Sequence, residues 1–188
     1  MGCFTLAFFG FLRTSEYTCN SSSFDPTVHL GLRDVTFIPN IESPNHMLVS
    51  IKQSKTDPFL KGCTLTIARY TTSICSVMAM TDYLLQCKPA ATGPLFTFTN
   101  GKWLSCASRT MELRSVQQGC GLHADHYFTH SFRIGAATTA AAAGVPSWLI
   151  KVLGCWSSDC YESYIRTPQE TLLAISKKLV MDNSDVLI

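Results

Sequence analysis

His130-Ser-Phe-Arg-Ile-Gly-Ala-Ala-Thr-Thr-Ala-Ala-Ala-Ala-Gly-Val-Pro-Ser-Trp-Leu-Ile-Lys-Val-Leu-Gly-Cys-Trp-Ser-Ser-Asp-Cys-Tyr-Glu-Ser-Tyr-Ile-Arg-Thr-Pro168 is the stretch on which the reading of this chain turns. Its alanine run has the strongest intrinsic helix preference of any residue type, which predicts one helix over 129–143. Gly144-Val145-Pro146, Leu153-Gly154 and Thr167-Pro168 then punctuate the remainder into helices over 146–153, 157–166 and 169–180. His130 and Arg133 lie three apart and so share a face of the alanine helix. Tyr161 and Tyr164 likewise lie one turn apart on the helix that follows Trp156, so both can face one cleft.

Working outward, the upstream half changes period. Residues 34–38, 46–52 and 62–69 alternate apolar with polar and are rich in β-branched types, predicting three short strands. The connections PNIESPN and QSKTDPFLK are turn-rich, so the strands form an antiparallel sheet. Apolar residues at helical spacing follow over 74–87 (Val77, Met80, Tyr83, Leu84, Cys87), and a further helix is predicted over 105–120. SSSFDPT, residues 21–27, reads as a loop. The apolar run at 3–19 reads as one buried helix interrupted by Arg13, with Glu16 a turn later. The fold class is therefore α+β, mostly helical with a small three-stranded antiparallel sheet.

Composition sets limits on this reading. The chain has 188 residues, 46% hydrophobic and 15% charged, with a net charge of +2. Those values describe one folded domain with a full core. A near-neutral total neither requires nor excludes a nucleic-acid partner, because a basic face can sit within it. Nine cysteines, an odd count at irregular spacing, are read as free thiols in a reducing compartment. The opening MGCFTLAFFGF has no basic residue before its apolar run and no cleavage site after it. It is also too short to span a bilayer, which takes about 20 apolar residues. No membrane partner is expected.

Singly, the polar residues allow ordinary explanations. Arg13 with Glu16 reads as a helix ion pair, Lys55 as a hairpin-tip lysine, His130 with Arg133 as a solvated helix start, and Trp156 and Tyr161 as core. Cys120, His123, His126 and His130 form a weak zinc-like grouping with no second cysteine pair nearby, so no metal site is assigned. Two arginines, a lysine, a histidine and a tyrosine together make a coherent set for metal-free phosphodiester chemistry. Guanidinium groups match phosphate oxygens bidentately, a phenol attacks phosphorus, and a lysine or histidine protonates the leaving alkoxide.

Four segments bear a family likeness. GFLRTSE (10–16) resembles the first-arginine motif of the tyrosine recombinases, or phage-type integrases, with Arg13 as the arginine and Glu16 as its acidic support. QSKTDPFLKG (53–62) resembles the hairpin of the catalytic lysine, which falls on Lys55. HSFRIGAAT resembles the His-x-x-Arg box, giving His130 and Arg133. LGCWSSDCYESYIRTP resembles the closing segment, with Trp156 at its His/Trp position and Tyr164, just before an Ile-Arg pair, as nucleophile. Physical reasoning alone does not separate Tyr161 from Tyr164.

The resemblance implies a single catalytic domain over 1–188, without the upstream DNA-clamping domain of relatives, so that the chain reads as a possible fragment. It implies strand cleavage and rejoining of double-stranded DNA through a 3′-phosphotyrosyl intermediate, with no cofactor, by a homotetramer assembled on DNA. The flavour of FLRTSE and YIRTP suggests a eukaryotic mobile element acting in the nucleus, and otherwise a cytoplasmic protein. An inactive DNA-binding remnant of such an element is the alternative, and a type IB topoisomerase-like relaxing enzyme a third reading. Many relatives carry arginine where this chain has Cys155, which implies one phosphate contact fewer. Lys52, Lys61 and Arg166 are expected DNA contacts, with Arg69, Arg109, Arg114 and Lys151 as further scattered cations; surface solvation explains each equally well.

Overall fold

A computed structural model describes residues 2–20, 23–53, 62–123, 127–128, 130–156 and 158–174. The expected Lys55, Lys61 and His126, and the segment beyond residue 174, lie outside the described residues.

The order of elements follows the sequence reading. Helix α1 (Gly2–Phe9) and the short α2 (Thr14–Tyr17) come first, then strands β1 (Val35–Ile38), β2 (His46–Ile51) and β3 (Cys63–Ala68). Helices α3 (Ser76–Cys87), α4 (Cys106–Gly119), α5 (Ser131–Ala142) and α6 (Ser147–Leu153) follow, and a 3₁₀ segment (Asp159–Tyr164) and a last helical stretch over 169–174 complete the described chain. The sheet is antiparallel in the order β1-β2-β3, as its alternation requires. Val49 of β2 faces Val35 on one side and Leu65 on the other. Met47, Val49 and Ile51 point inward with Leu65 and Ile67, while Thr64 and Thr66 face solvent.

Two departures have local causes. The single helix expected over 3–19 is two helices. Phe11 adopts a left-handed φ of 52°, and the N–H groups of Gly10, Phe11 and Leu12 turn back onto the carbonyls of Leu6, Phe8 and Ala7. That is a left-handed helix stop. The helix expected over 157–166 is a 3₁₀ segment over Asp159–Tyr164.

The core has two parts. The larger packs Leu6 and Ala7 of α1 against the inner face of the sheet and against Val77, Met80 and Leu84 of α3. The smaller gathers Phe11, Ala136, Ala137, Ile150, Trp156 and Tyr161. Small alanine side chains on α5 let the Trp156 segment approach its backbone closely. Among the described residues no helix is long and apolar enough to cross a membrane.

A disulfide joins Cys63 at the start of β3 to Cys155 after α6. This corrects the reading of all nine cysteines as free thiols; the other seven form no disulfide. The reason is tertiary: the two residues are 92 apart in sequence, and only the packing of the sheet against the α6 turn brings them together.

Candidate active site

The smaller core holds a buried charge cluster. Because α1 ends at the Phe11 turn, Arg13 does not lie within a helix but stands at the N-cap of α2, with extended backbone (φ −76°, ψ 150°). Its backbone N–H donates to Glu16 Oε2 (2.7 Å) and its Nη1 donates to Glu16 Oε1 (3.1 Å). Both ends of the carboxylate therefore grip one residue, as a capping box does with a hydroxyl. Arg13 is 7% exposed, so this is not the surface ion pair that its spacing alone suggests.

Arg133, in the first turn of α5, is 1% exposed. Its Nη1 donates to the Phe11 carbonyl and its Nη2 donates to the Gly154 carbonyl (2.8 Å). Nη1 also lies 3.8 Å from Glu16 Oε2, so one carboxylate serves both arginines. The left-handed Phe11 turn and the Gly154 turn are what aim these carbonyls at the guanidinium. A Cβ on Gly154 would collide with the Trp156 ring, so glycine is needed there for close approach. Burial, seconded by the like charge of Arg13, depresses the Arg133 pKa to about 10, and Glu16 opposes the shift. The arginine stays cationic at neutral pH.

Trp156 covers this guanidinium: Arg133 Cζ lies 4.0 Å from its ring centroid. Such stacking is worth about 0.5–2 kcal/mol. The indole Nε1 is buried and makes no hydrogen bond with a described residue, and the same is true of Arg133 Nε. Around the indole sit Phe11 (6.1 Å between centroids, edge-on), Tyr161 (5.9 Å) and Tyr164 (5.7 Å).

The two tyrosines differ in surroundings. Tyr161 is 4% exposed and belongs to the core. Tyr164 is half-buried at its edge, with its ring centroid 5.9 Å from Arg133 Cζ. Its backbone is anchored by Thr138 of α5, whose Oγ1 donates to the Tyr164 carbonyl (3.3 Å) and accepts from Arg166 N–H (3.0 Å). Thr138 was not singled out from sequence. Its place in the His-x-x-Arg segment, two turns from His130 on α5, is the one signal that could have found it.

Of the predicted residues, Arg13, Glu16, Arg133, Trp156 and Tyr164 are brought together. His130 is the N-cap of α5, exposed, with its carbonyl accepting from Ile134 N–H (3.0 Å). It stands one helical turn from Arg133, at the rim of the cluster and not in it. Lys52 is bound within the protein: Nζ donates to the carbonyls of Pro26 (2.6 Å) and His29 (3.1 Å) and pairs with Asp34 (2.6 Å). Those three partners match its three N–H groups. Arg166 is exposed, with Nη1 donating to the Ser163 carbonyl (3.0 Å). Arg109, expected as a scattered surface cation, is instead wholly buried, at 0% exposure. Among the described residues no group of three His, Cys, Asp or Glu lies close enough to hold a metal ion.

No protein-family model matches the chain, and no curated protein matches it in sequence. Solved structures do match it. The XerH site-specific recombinase bound to its palindromic difH substrate superposes with a TM-score of 0.68 at 16% identity, over 93% of this chain and 44% of that one. The XerA recombinase gives 0.67 at 16% identity, over 94% and 55%. The Tn1549 transposon integrase in complex with a circular intermediate DNA gives 0.58 at 15% identity, over 95% and 58%. The chain thus has the fold of tyrosine recombinase catalytic domains and spans about half the length of these proteins.

Proposed function

We propose that this chain is a tyrosine recombinase catalytic domain that cleaves and rejoins strands of double-stranded DNA, with Tyr164 as the nucleophile. One observation carries the reading: two arginines from distant parts of the chain share the Glu16 carboxylate beneath a tryptophan and a half-buried tyrosine. A buried pair of like charges is expensive unless something needs both. An anion with several oxygens, such as a phosphodiester, is what such a pair suits.

In this mechanism Arg13 and Arg133 hold the non-bridging oxygens of the scissile phosphate, and Trp156 Nε1 donates a further hydrogen bond. His130, at the rim, completes the set of donors. These groups stabilise the charge that builds on phosphorus-bound oxygen in the transition state. Tyr164 lies beside the Arg133 guanidinium, its ring centroid 5.9 Å from Cζ. Its Oη attacks phosphorus, the P–O5′ bond breaks, and Lys55 protonates the departing 5′ oxygen. Attack by another 5′ hydroxyl on the phosphotyrosyl bond reverses the step, so the bond energy is conserved.

The burial of Tyr161 under the indole and the greater exposure of Tyr164 favour Tyr164 as the attacking group. The test is a nicked suicide substrate, which traps the covalent adduct. Wild type and Tyr161→Phe form it, and Tyr164→Phe does not. DNA binding without any adduct in wild type returns the reading to a binding-only remnant of a mobile element.

A further inference from the structure

Cys155 sits between the two residues that finish the Arg133 site. Before it, the Gly154 carbonyl accepts from Arg133 Nη2; after it, Trp156 lies over the same guanidinium. Its sulfur is joined to Cys63, the first residue of β3, which pairs across the sheet with Ile51 at the base of the β2–β3 hairpin. Cys155 also holds a left-handed φ of 50°, a conformation that a non-glycine residue keeps only when its surroundings impose it. Both half-cystines are partly exposed, within reach of small thiols. We propose that the Cys63–Cys155 disulfide is a redox latch that holds Trp156 over Arg133 and ties the catalytic turn to the base of the β2–β3 hairpin.

Opening the latch is a thiol–disulfide exchange. A small dithiol attacks one sulfur, the Cys63–Cys155 bond breaks, two cysteine thiols form, and the dithiol closes to its own disulfide; a small-molecule disulfide reverses this. With the bond open, Cys155 is free to leave the left-handed region, and Trp156 turns away from Arg133. In reducing compartments disulfides of this kind serve as sensors more often than as permanent staples. The effect on cleavage rests on the reading of the site given above; the effect on Trp156 does not.

Three measurements test it. Thiol labelling of the air-oxidised, denatured protein finds seven reactive cysteines, and nine after dithiothreitol; nine before reduction overturns the proposal. In a Trp103→Phe/Trp148→Phe background, acrylamide quenching of the remaining Trp156 rises on reduction, and is constant in a Cys63→Ser/Cys155→Ser version of that background. Equal quenching in both redox states of the disulfide-forming protein overturns the latch. On the suicide DNA substrate, reduction lowers the rate of adduct formation about ten- to hundredfold, while the double serine variant does not respond to reductant. A redox-dependent Trp156 with no adduct in either state keeps the latch and overturns the recombinase reading instead.

Discussion

Arg109 and Arg133 are both buried, at 0% and 1% exposure, yet their surroundings are opposite. Arg133 has two backbone carbonyls, a shared carboxylate and a tryptophan face. Arg109, on α4, lies among three rings: Phe132 at 5.0 Å, Phe4 at 5.6 Å and Tyr17 at 5.9 Å. None of its guanidinium nitrogens makes a hydrogen bond with a described residue. It lies near enough to Tyr17 to favour that phenol's ionised form, though burial dominates and pushes the Tyr17 pKa up to about 12. A guanidinium is the cation best able to live this way, because it is weakly hydrated and stacks flat on rings. The contrast teaches that burial alone does not describe an arginine's setting. What marks Arg133 is that turns from three separate elements deliver acceptors and aromatic rings to it.

Breaking the Arg133 side of the comparison has the largest expected effect. Arg133→Ala orphans the Phe11 and Gly154 carbonyls and removes the floor under Trp156, so unfolding in urea shows a loss of about 3–5 kcal/mol. An unchanged midpoint would mean that those contacts hold nothing together.

Next in size is an alkaline effect beside Arg109. The Tyr17 phenol ionises near 10 when unfolded and at about 12 when folded. Its folded pKa is the higher one, so its contribution is full below pH 10 and is lost as pH climbs from 10 to 12. Two units correspond to roughly 2–3 kcal/mol at the upper end. Tyr17→Phe flattens this part of the pH–stability curve, as denaturant titrations between pH 9 and 12 will register.

The smallest effect is expected at Arg109 itself. Replacing a buried charge that has no hydrogen-bond acceptor by an apolar side chain of similar length is neutral or favourable. Arg109→Met therefore leaves the thermal midpoint unchanged or raises stability by about 1 kcal/mol, with adduct formation on the suicide substrate intact. A loss approaching that of Arg133→Ala would show that the aromatic box is as demanding as the carbonyl cradle.

The strands were legible because their signal is local. Alternation at 35–38, 46–51 and 63–68 presents Phe37, Met47, Val49, Leu65 and Ile67 to one side and threonines to the other, and a pleated strand leaves no other choice. The alanine run of α5 was legible for the same reason. The ends of the first helix were not. Arg13 at apolar spacing looks like a helix residue, and nothing local says that Phe11 takes a left-handed φ. That conformation is held by the fit of Phe11 under Trp156 and by Arg133 on its carbonyl.

The candidate site divides in the same way. Motif order pointed to Arg13, Glu16, Arg133, Trp156 and Tyr164, and these meet. Apart from the likeness to the Ile-Arg ending, the sequence could not separate Tyr161 from Tyr164, since helical spacing gives both the same face. The 3₁₀ segment and the indole above it separate them by burying the first. Scattered cations were equally opaque: Lys52 is spent on Asp34 and two carbonyls, and Arg109 is wholly interior.

By itself, then, the order of residues determined most element types and which side chains to propose for the chemistry, because propensity, period and residue type act over a few neighbours. Only the tertiary structure decided that Glu16 sits between two arginines, that Cys63 meets Cys155, and which tyrosine keeps an open edge. Those depend on segments far apart in the chain arriving at the same few ångströms, where charge, sulfur chemistry and exposure are set by whatever else has packed there.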